Sequence, residues 1–142
     1  MSTLHPTRKF SGVSVGDELP PLSVEITTRL IVSAAIASRD FQDVHHDKPG
    51  AQALGSPDIF MNILTTNGLV GRYVSDWAGP NALLRAVKIK LGAPNYPGDT
   101  MVLKGRVTAV GSEGDPQAVE IEIGGKNGIG YHVTGSVTVA LP

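Results

Sequence analysis

Acidic and imidazole side chains gather in one stretch as nowhere else in the chain, Asp40-Phe41-Gln42-Asp43-Val44-His45-His46-Asp47. A carboxylate and an imidazole that share one water molecule can take a proton from it as it attacks an electrophile, which makes Asp40 and His45 the candidate acid–base pair. Five positions apart on a helix they would sit roughly 140° apart around the axis. They can aim at one point only if the chain turns between them, so Asp40 to His45 is expected to be a loop. His46 competes with His45; in extended backbone neighbouring side chains point opposite ways, and only one of the two is expected to converge with Asp40. Asp43 and Asp47 read as loop-stabilising or solvated. Together Asp40, Asp43, His45, His46 and Asp47 are also ligand types for zinc or manganese, but consecutive His-His-Asp is not a usual chelating spacing, and no metal is expected.

The elements on either side must hold this loop. Thr27 or Thr28 can cap a short helix from Arg29 to Ala37, with Val32, Ala35 and Ile36 on one face, and that helix delivers the chain to Asp40. After the loop, Ser56-Pro57-Asp58 reads as a helix start: a hydroxyl cap, a proline whose missing N–H costs nothing there, and a carboxylate near the positive end of the dipole. Ile59, Phe60, Ile63, Leu64, Val70, Val74 and Trp77 then recur at helical spacing up to the stop signal Gly79-Pro80. Gly68 and Gly71 inside this long helix each cost about 1 kcal/mol relative to alanine, which suggests that another backbone approaches closely there.

Upstream, residues 1 to 12 read as a loose arm or edge segment, Gly16 to Pro21 as a turn, and Leu22 to Ile26 as a short strand. Downstream of Ala82 the period changes to two. Val87, Ile89 and Leu91 alternate with Lys88 and Lys90; Met101, Leu103 and Val107 form a second run; Val119, Ile121 and Ile123 alternate with Glu120 and Glu122; Val133, Val137 and Val139 sit in the last. Connections at 94–99, 111–116 and 127–130 are rich in turn residues, and short turns join antiparallel neighbours. One long helix and an antiparallel sheet able to curl around it make an α+β domain, and residues 1–142 are read as one such domain.

Composition narrows the partners. Lysine plus arginine number 12 against 13 acidic residues, with no basic run, so neither nucleic acid nor an anionic membrane is an expected partner. No cysteine is present, which excludes a thiolate nucleophile or ligand and fits a cytoplasmic protein. The first ten residues lack the apolar segment of a secretory signal, and no stretch is apolar enough to span a bilayer. Gly12-Val13-Ser14-Val15-Gly16 matches a serine-hydrolase pattern, but it runs into Asp17 and two prolines instead of a helix and is read as coincidence.

The residues from Ser38 to Asp47 are similar to the signature of the MaoC-like (R)-specific enoyl-CoA hydratases, a family of hot-dog domains. That signature is close to serine, glycine, Asp, any residue, Asn-Pro, any residue, His, any residue, Asp. Asp40, His45 and Asp47 keep its acidic and imidazole positions; Ala51 and Gly55 fall where the family has alanine and glycine, and Val15 to Leu19 and Tyr96 to Thr100 look like its turns. Gln42-Asp43 stands in place of Asn-Pro, Arg39 in place of glycine, and Met61-Asn62 in place of His-Gly. Within the family, residues 39–47, 58–60 and 73–80 most resemble the small subunit of bacterial heteromeric hydratases of steroid side-chain degradation.

The resemblance implies a hot-dog fold, addition of water across an α,β-unsaturated steroid CoA thioester, and a second, larger MaoC-like subunit as partner. A homodimeric fatty enoyl-CoA hydratase, a hot-dog thioesterase and a non-catalytic structural subunit are the alternatives. No cofactor is expected, since CoA is part of the substrate. Asp40 and His45 would activate the water, in roles the sequence leaves open, and the backbone N–H of Asn62 near the long helix's start could take the charge that reaches the thioester oxygen. Lys88, Lys90, Lys104 and Arg106 are read as the wet face of a sheet before CoA-phosphate contacts, and Tyr73 and Trp77 as core before acyl-pocket lining.

Overall fold

The computed structural model describes residues 6–142. A five-stranded antiparallel sheet packs against one long helix, the α+β hot-dog arrangement expected. Its elements are β1 (Glu18–Glu25), α1 (Thr28–Ala37), α2 (Lys48–Ala53), α3 (Ile63–Ala78), β2 (Leu83–Leu91), β3 (Thr100–Ser112), β4 (Asp115–Lys126) and β5 (Tyr131–Ala140), with single 3-10 turns at Phe10–Gly12 and Asp43–His45. The sheet order is β1-β3-β4-β5-β2. Alternation places Leu103, Val107, Ile121, Ile123, Val133 and Val137 on the inner face, all buried against Val70, Tyr73, Val74 and Trp77 of α3. Lys88, Lys90, Lys104 and Arg106 lie exposed on the opposite face. Burial pushes the Tyr73 phenol up to about 12, a backbone hydrogen bond from Gly105 opposing part of that shift; like Trp77, it is core and lines no part of the cavity beside Asp40.

Four expectations need correction. The long helix does not begin at Ser56. Asn62 caps it instead, its Oδ1 accepting from Thr65 N–H at 2.9 Å, while Ile59 to Met61 belong to no helix or strand. Phe60 N–H donates to Val44 O at 3.0 Å and Met61 N–H to Asn95 O at 3.1 Å, so the backbone groups a helix would have paired are already satisfied. Ile63 and Leu64 are consequently half exposed. Next, β1 begins at Glu18 and runs through Pro20 and Pro21, with its register shifted between Leu19 and Leu22. Proline is tolerated there because β1 is an edge strand and the ladder slips where the two N–H groups are missing.

The connection at 94–99 does not join neighbours: β2 pairs with β5, and the chain crosses the end of the sheet to reach β3 beside β1. Finally, among the described residues no backbone crowds the helix glycines. A β-carbon at Gly68 would meet nothing within 4 Å, and one at Gly71 only Leu84 Cδ2 at 3.7 Å.

Residues 1–5 of the expected loose arm lie outside the described residues. From Arg8 onward the arm is tied down. Arg8 N–H donates to Ala78 O at 2.9 Å, its Nε–H to Trp77 O at 2.9 Å, and its guanidinium lies 4.8 Å from the Trp77 ring centroid. A cation thus sits at the negative end of α3. The serine-hydrolase-like pattern falls in this arm and leads into β1, not into a helix. Among the described residues no helix is long and apolar enough to cross a membrane.

Gly135 and Gly68 separate close approach from mere propensity. A β-carbon at Gly135 would run into the Lys88 carbonyl oxygen and the Ile89 Cα of the paired strand, so Gly135→Ala is expected to cost about 3 kcal/mol or more. Gly68→Ala is expected to add about 0.5–1 kcal/mol. Urea denaturation of both variants checks the contrast.

Candidate active site

Asp40 reaches the site because α1 ends in a fully formed Schellman motif. Asp40 N–H donates to Ala35 O at 2.9 Å and Arg39 N–H to Ile36 O at 3.0 Å. The residue between cap and carboxylate must then be left-handed, and Arg39 adopts φ +57°. Glycine would do this freely; arginine does so at a cost of about 1 kcal/mol.

His45 ends the 3-10 turn at Asp43–His45, within an otherwise irregular loop. The residue is 6% exposed, and its ring packs edge-on to Phe60, centroids 5.1 Å apart. The ring Nδ1 lies 2.7 Å from Phe60 O. A carbonyl can only accept, so Nδ1 carries a hydrogen and Nε2 is the nitrogen left to do chemistry. That Nε2 is 3.3 Å from Asp40 Oδ2. The turn between the two residues therefore brings them together. His46 points the other way, 3.9 Å from Asp43 in an exposed pair. Asp47 is the residue before α2, and Lys48 pairs with Asp58 at 3.4 Å. Among the described residues no three such side chains are grouped to hold a metal ion.

The side chain of Asn62 has a part that the sequence reading missed, since only its backbone was considered. While Oδ1 caps α3, Nδ2 donates to Asp40 Oδ2 at 3.1 Å and to Ser38 Oγ at 3.0 Å. Ser38 Oγ in turn donates to Ala34 O at 2.7 Å. An asparagine three residues before a threonine, just ahead of an apolar-periodic run, was the available signal. The Asn62 N–H has no acceptor among the described residues, as befits the residue at a helix's open end. A second missed residue is His132 on β5. It is 2% exposed, with Nδ1 2.7 Å from Ala93 O and Nε2 2.8 Å from Thr66 Oγ1. Nothing in the sequence distinguishes it from a surface histidine on an alternating strand.

Asp40, His45, Asn62 and His132 line one cavity of about 360 Å³, walled by Phe60, Met61, Ile63, Leu91 and Pro94. A larger surface trough, about 940 Å³, lies among Lys104, Arg106 and Lys126 and includes none of these residues. The smaller cavity is where acid–base groups, a free N–H at a helix start and apolar walls meet. Such an arrangement can bind an uncharged carbonyl compound, hold a water against it and accept developing negative charge.

No family model matches the chain. The 3-oxo-4,17-pregnadiene-20-carboxyl-CoA hydratase beta subunit of Mycobacterium tuberculosis (strain ATCC 25618 / H37Rv) is 49% identical over 127 residues, 89% of this chain and 95% of that protein. A chain in the crystal structure of the ChsH1-ChsH2 complex from Mycobacterium tuberculosis superposes with a TM-score of 0.86 at 47% identity, covering 91% of this chain and 98% of its own. The unliganded R-hydratase PhaJ1 from Pseudomonas aeruginosa shares the fold at a TM-score of 0.84 and 18% identity, over 94% of this chain and 85% of its own.

Asn62→Ala removes a cap and leaves part of the Asp40 carboxylate unpartnered, so it is expected to cost about 1–3 kcal/mol in urea denaturation. His132 carries a pH signature. Burial lowers its pKa below the ordinary 6.5, and the hydrogen bond to Ala93 only partly opposes that. As pH falls, the unfolded chain takes a proton on this ring before the folded chain does, so the ring's contribution is full above 6.5 and drains below it. The stability advantage of wild type over His132→Asn is expected to be greatest above pH 6.5 and to narrow as pH is lowered from there.

Proposed function

The chain belongs to the MaoC-like enoyl-CoA hydratase family, and we propose that it is the catalytic small subunit of a heteromeric hydratase acting on a steroid side-chain enoyl-CoA. The observation that carries this reading is the His45 ring, whose bond to Phe60 O leaves Nε2 facing the Asp40 carboxylate at 3.3 Å. In the neutral ring these are two acceptors confronting each other, which do not satisfy one another. A water molecule that donates one hydrogen to each resolves the conflict and turns its oxygen lone pairs toward the cavity.

With an enoyl thioester in the cavity, that oxygen bonds to the β-carbon while one of the pair takes its proton. The π electrons move to the thioester oxygen, giving an enolate. The Asn62 N–H, at the positive end of α3, would hold that oxygen. Return of a proton to the α-carbon completes addition of one water: hydroxyl on the β-carbon, hydrogen on the α-carbon. Asn62 Nδ2, by holding Asp40 Oδ2, fixes the carboxylate's orientation through both steps.

The partner follows from what the chain leaves open. The cavity is at the lower end of the roughly 300–1,000 Å³ range of small-molecule sites, and Ile63 and Phe41 are 51% and 66% exposed. A second subunit would supply the missing wall for a steroid nucleus. The edge strand β2 offers an unpaired side for it, flanked by the exposed Leu83 and Leu84, whereas prolines blunt the β1 edge. The relative's name, a steroid-type CoA hydratase beta subunit, supports the same substrate class and subunit status. A CoA substrate and a chain without cysteine support action in the cytoplasm.

The test is turnover of a steroid enoyl-CoA by the chain assembled with a larger MaoC-like subunit. Loss of the conjugated enoyl absorbance without release of free thiol is expected. Asp40→Asn and His45→Ala are each expected to slow it by about 10²–10⁴-fold without dissociating the assembly. Thiol release would make the protein a thioesterase, and unimpaired hydration by both variants would rule out this pair.

A further inference from the structure

We propose that Thr66 and His132 form a positioning pair for this site: the imidazole, anchored on the Ala93 carbonyl, fixes the first turn of α3 through the Thr66 hydroxyl and so sets the Asn62 amide on Asp40. The proposal rests on the hydratase reading for its catalytic consequence, but its geometry stands apart from it.

His132 Nδ1 must carry a hydrogen, because Ala93 O, 2.7 Å away, can only accept. In the neutral ring Nε2 is therefore an acceptor, and the Thr66 hydroxyl, 2.8 Å away, donates to it. Its other acceptor, Asn62 O, is at a poorer 3.4 Å, while the Thr66 N–H donates to that same carbonyl at 3.3 Å. Desolvation by burial, the larger influence on this ring, favours the neutral form that this direction of donation needs.

Thr66 is completely buried and His132 nearly so. For stability alone such a polar pair has little to recommend it: the net gain of a neutral hydrogen bond is small, and two well-packed apolar side chains would serve as well. What a polar pair adds is direction. His132 joins the two walls of the cavity, because Ala93 follows Leu91 and Gly92 on one wall while Thr66 lies one turn from Asn62 on the other. The strand start is itself fixed to that first wall, with Gly92 N–H donating to His132 O and Ala93 N–H to Tyr131 O, both at 2.8 Å. The contacts thus run from the sheet through His132, Thr66 and Asn62 to the Asp40 carboxylate.

Thr66→Val keeps the shape and removes the hydroxyl; Thr66→Ser keeps the hydroxyl. In the assembly with its larger subunit, Thr66→Val is expected to lower kcat by about tenfold with KM within about twofold. Thr66→Ser is expected to recover most of that loss. In ¹⁵N-labelled chain within the same assembly, the side-chain amide signal of Asn62 is expected to move in Thr66→Val and return in Thr66→Ser; Thr66→Ala replaces the valine variant if that does not fold. An unmoved amide signal, or a moved signal with kcat unchanged, overturns the proposal. If the wild-type assembly hydrates no enoyl-CoA, the functional reading fails, while the amide signal still decides whether the pair positions Asn62.

Discussion

The side-chain amide of Asn62 is the contact on which the site depends, because its two ends serve different elements. The oxygen starts α3 by accepting from Thr65 N–H, and the nitrogen holds the end of α1 through Ser38 Oγ and the carboxylate of Asp40. Neither half is large. A cap contributes about 1 kcal/mol, and a hydrogen bond to a charged group about 1.5–3 kcal/mol. Their importance is geometric. Asp40 lies at the start of a long stretch with little regular structure, and such stretches hold position only where something outside them fixes the chain. The Schellman motif fixes its backbone from one side, and the asparagine amide fixes its carboxylate from the other.

His45 is fixed by a second closed circuit. Val44 O accepts from Phe60 N–H at 3.0 Å, and Phe60 O accepts from the neighbouring His45 ring at 2.7 Å. Two adjacent residues of the loop are thereby zipped to one residue of the segment that leads into α3. These circuits hold an arrangement that is unfavourable taken alone, a left-handed arginine, and they set the ring nitrogen beside the carboxylate oxygen. Local conflict held in place by a well-satisfied surround is the usual condition of sites that do chemistry.

Much of this could be read from the sequence. Alternation identified the inner face of the strands, because one wet face imposes a strict period of two. A threonine cap for α1, Thr27 or Thr28, was legible because a hydroxyl precedes the apolar face, and it is Thr27 to which Leu30 N–H donates. That Asp40 and His45 could converge only through a turn was legible, because five positions apart they are too far out of phase to meet on a helix, and the two side chains do meet. What failed had competing physics behind it. Ser56-Pro57-Asp58 has every local mark of a helix start, yet Ser56 Oγ turns to Asp58 O instead, and contacts from Val44 and Asn95, remote in sequence, hold the next residues out of a helix. The prolines of β1 read as a turn because nothing in the sequence says that the strand lies at an edge. The Thr66 and His132 contact spans 66 positions, and no local pattern marks either residue.

The two edges of the sheet bear on how the proposed acid–base pair can lie in one chain while the cleft beside it stays open. β1 carries two prolines beside its slipped register, so it offers a poor ladder to any incoming strand; β2, whose register with β5 also shifts between Leu84 and Ala86, carries no proline over its nine residues. A sheet with one blunted and one open edge accepts a single neighbour and stops, which gives a closed pair instead of an open-ended stack. The open edge is also the side that matters for the site, since Leu91, at the end of β2, lines the cavity. A subunit joined there would cover apolar surface that the chain alone leaves to solvent. The proposed acid–base pair needs only short contacts within one polypeptide, whereas enclosing the rigid, extended substrate proposed for it needs area. Duplicating the chemistry on both halves of such a pair would add little, but a second chain free of the acid–base constraint could be shaped entirely by the substrate.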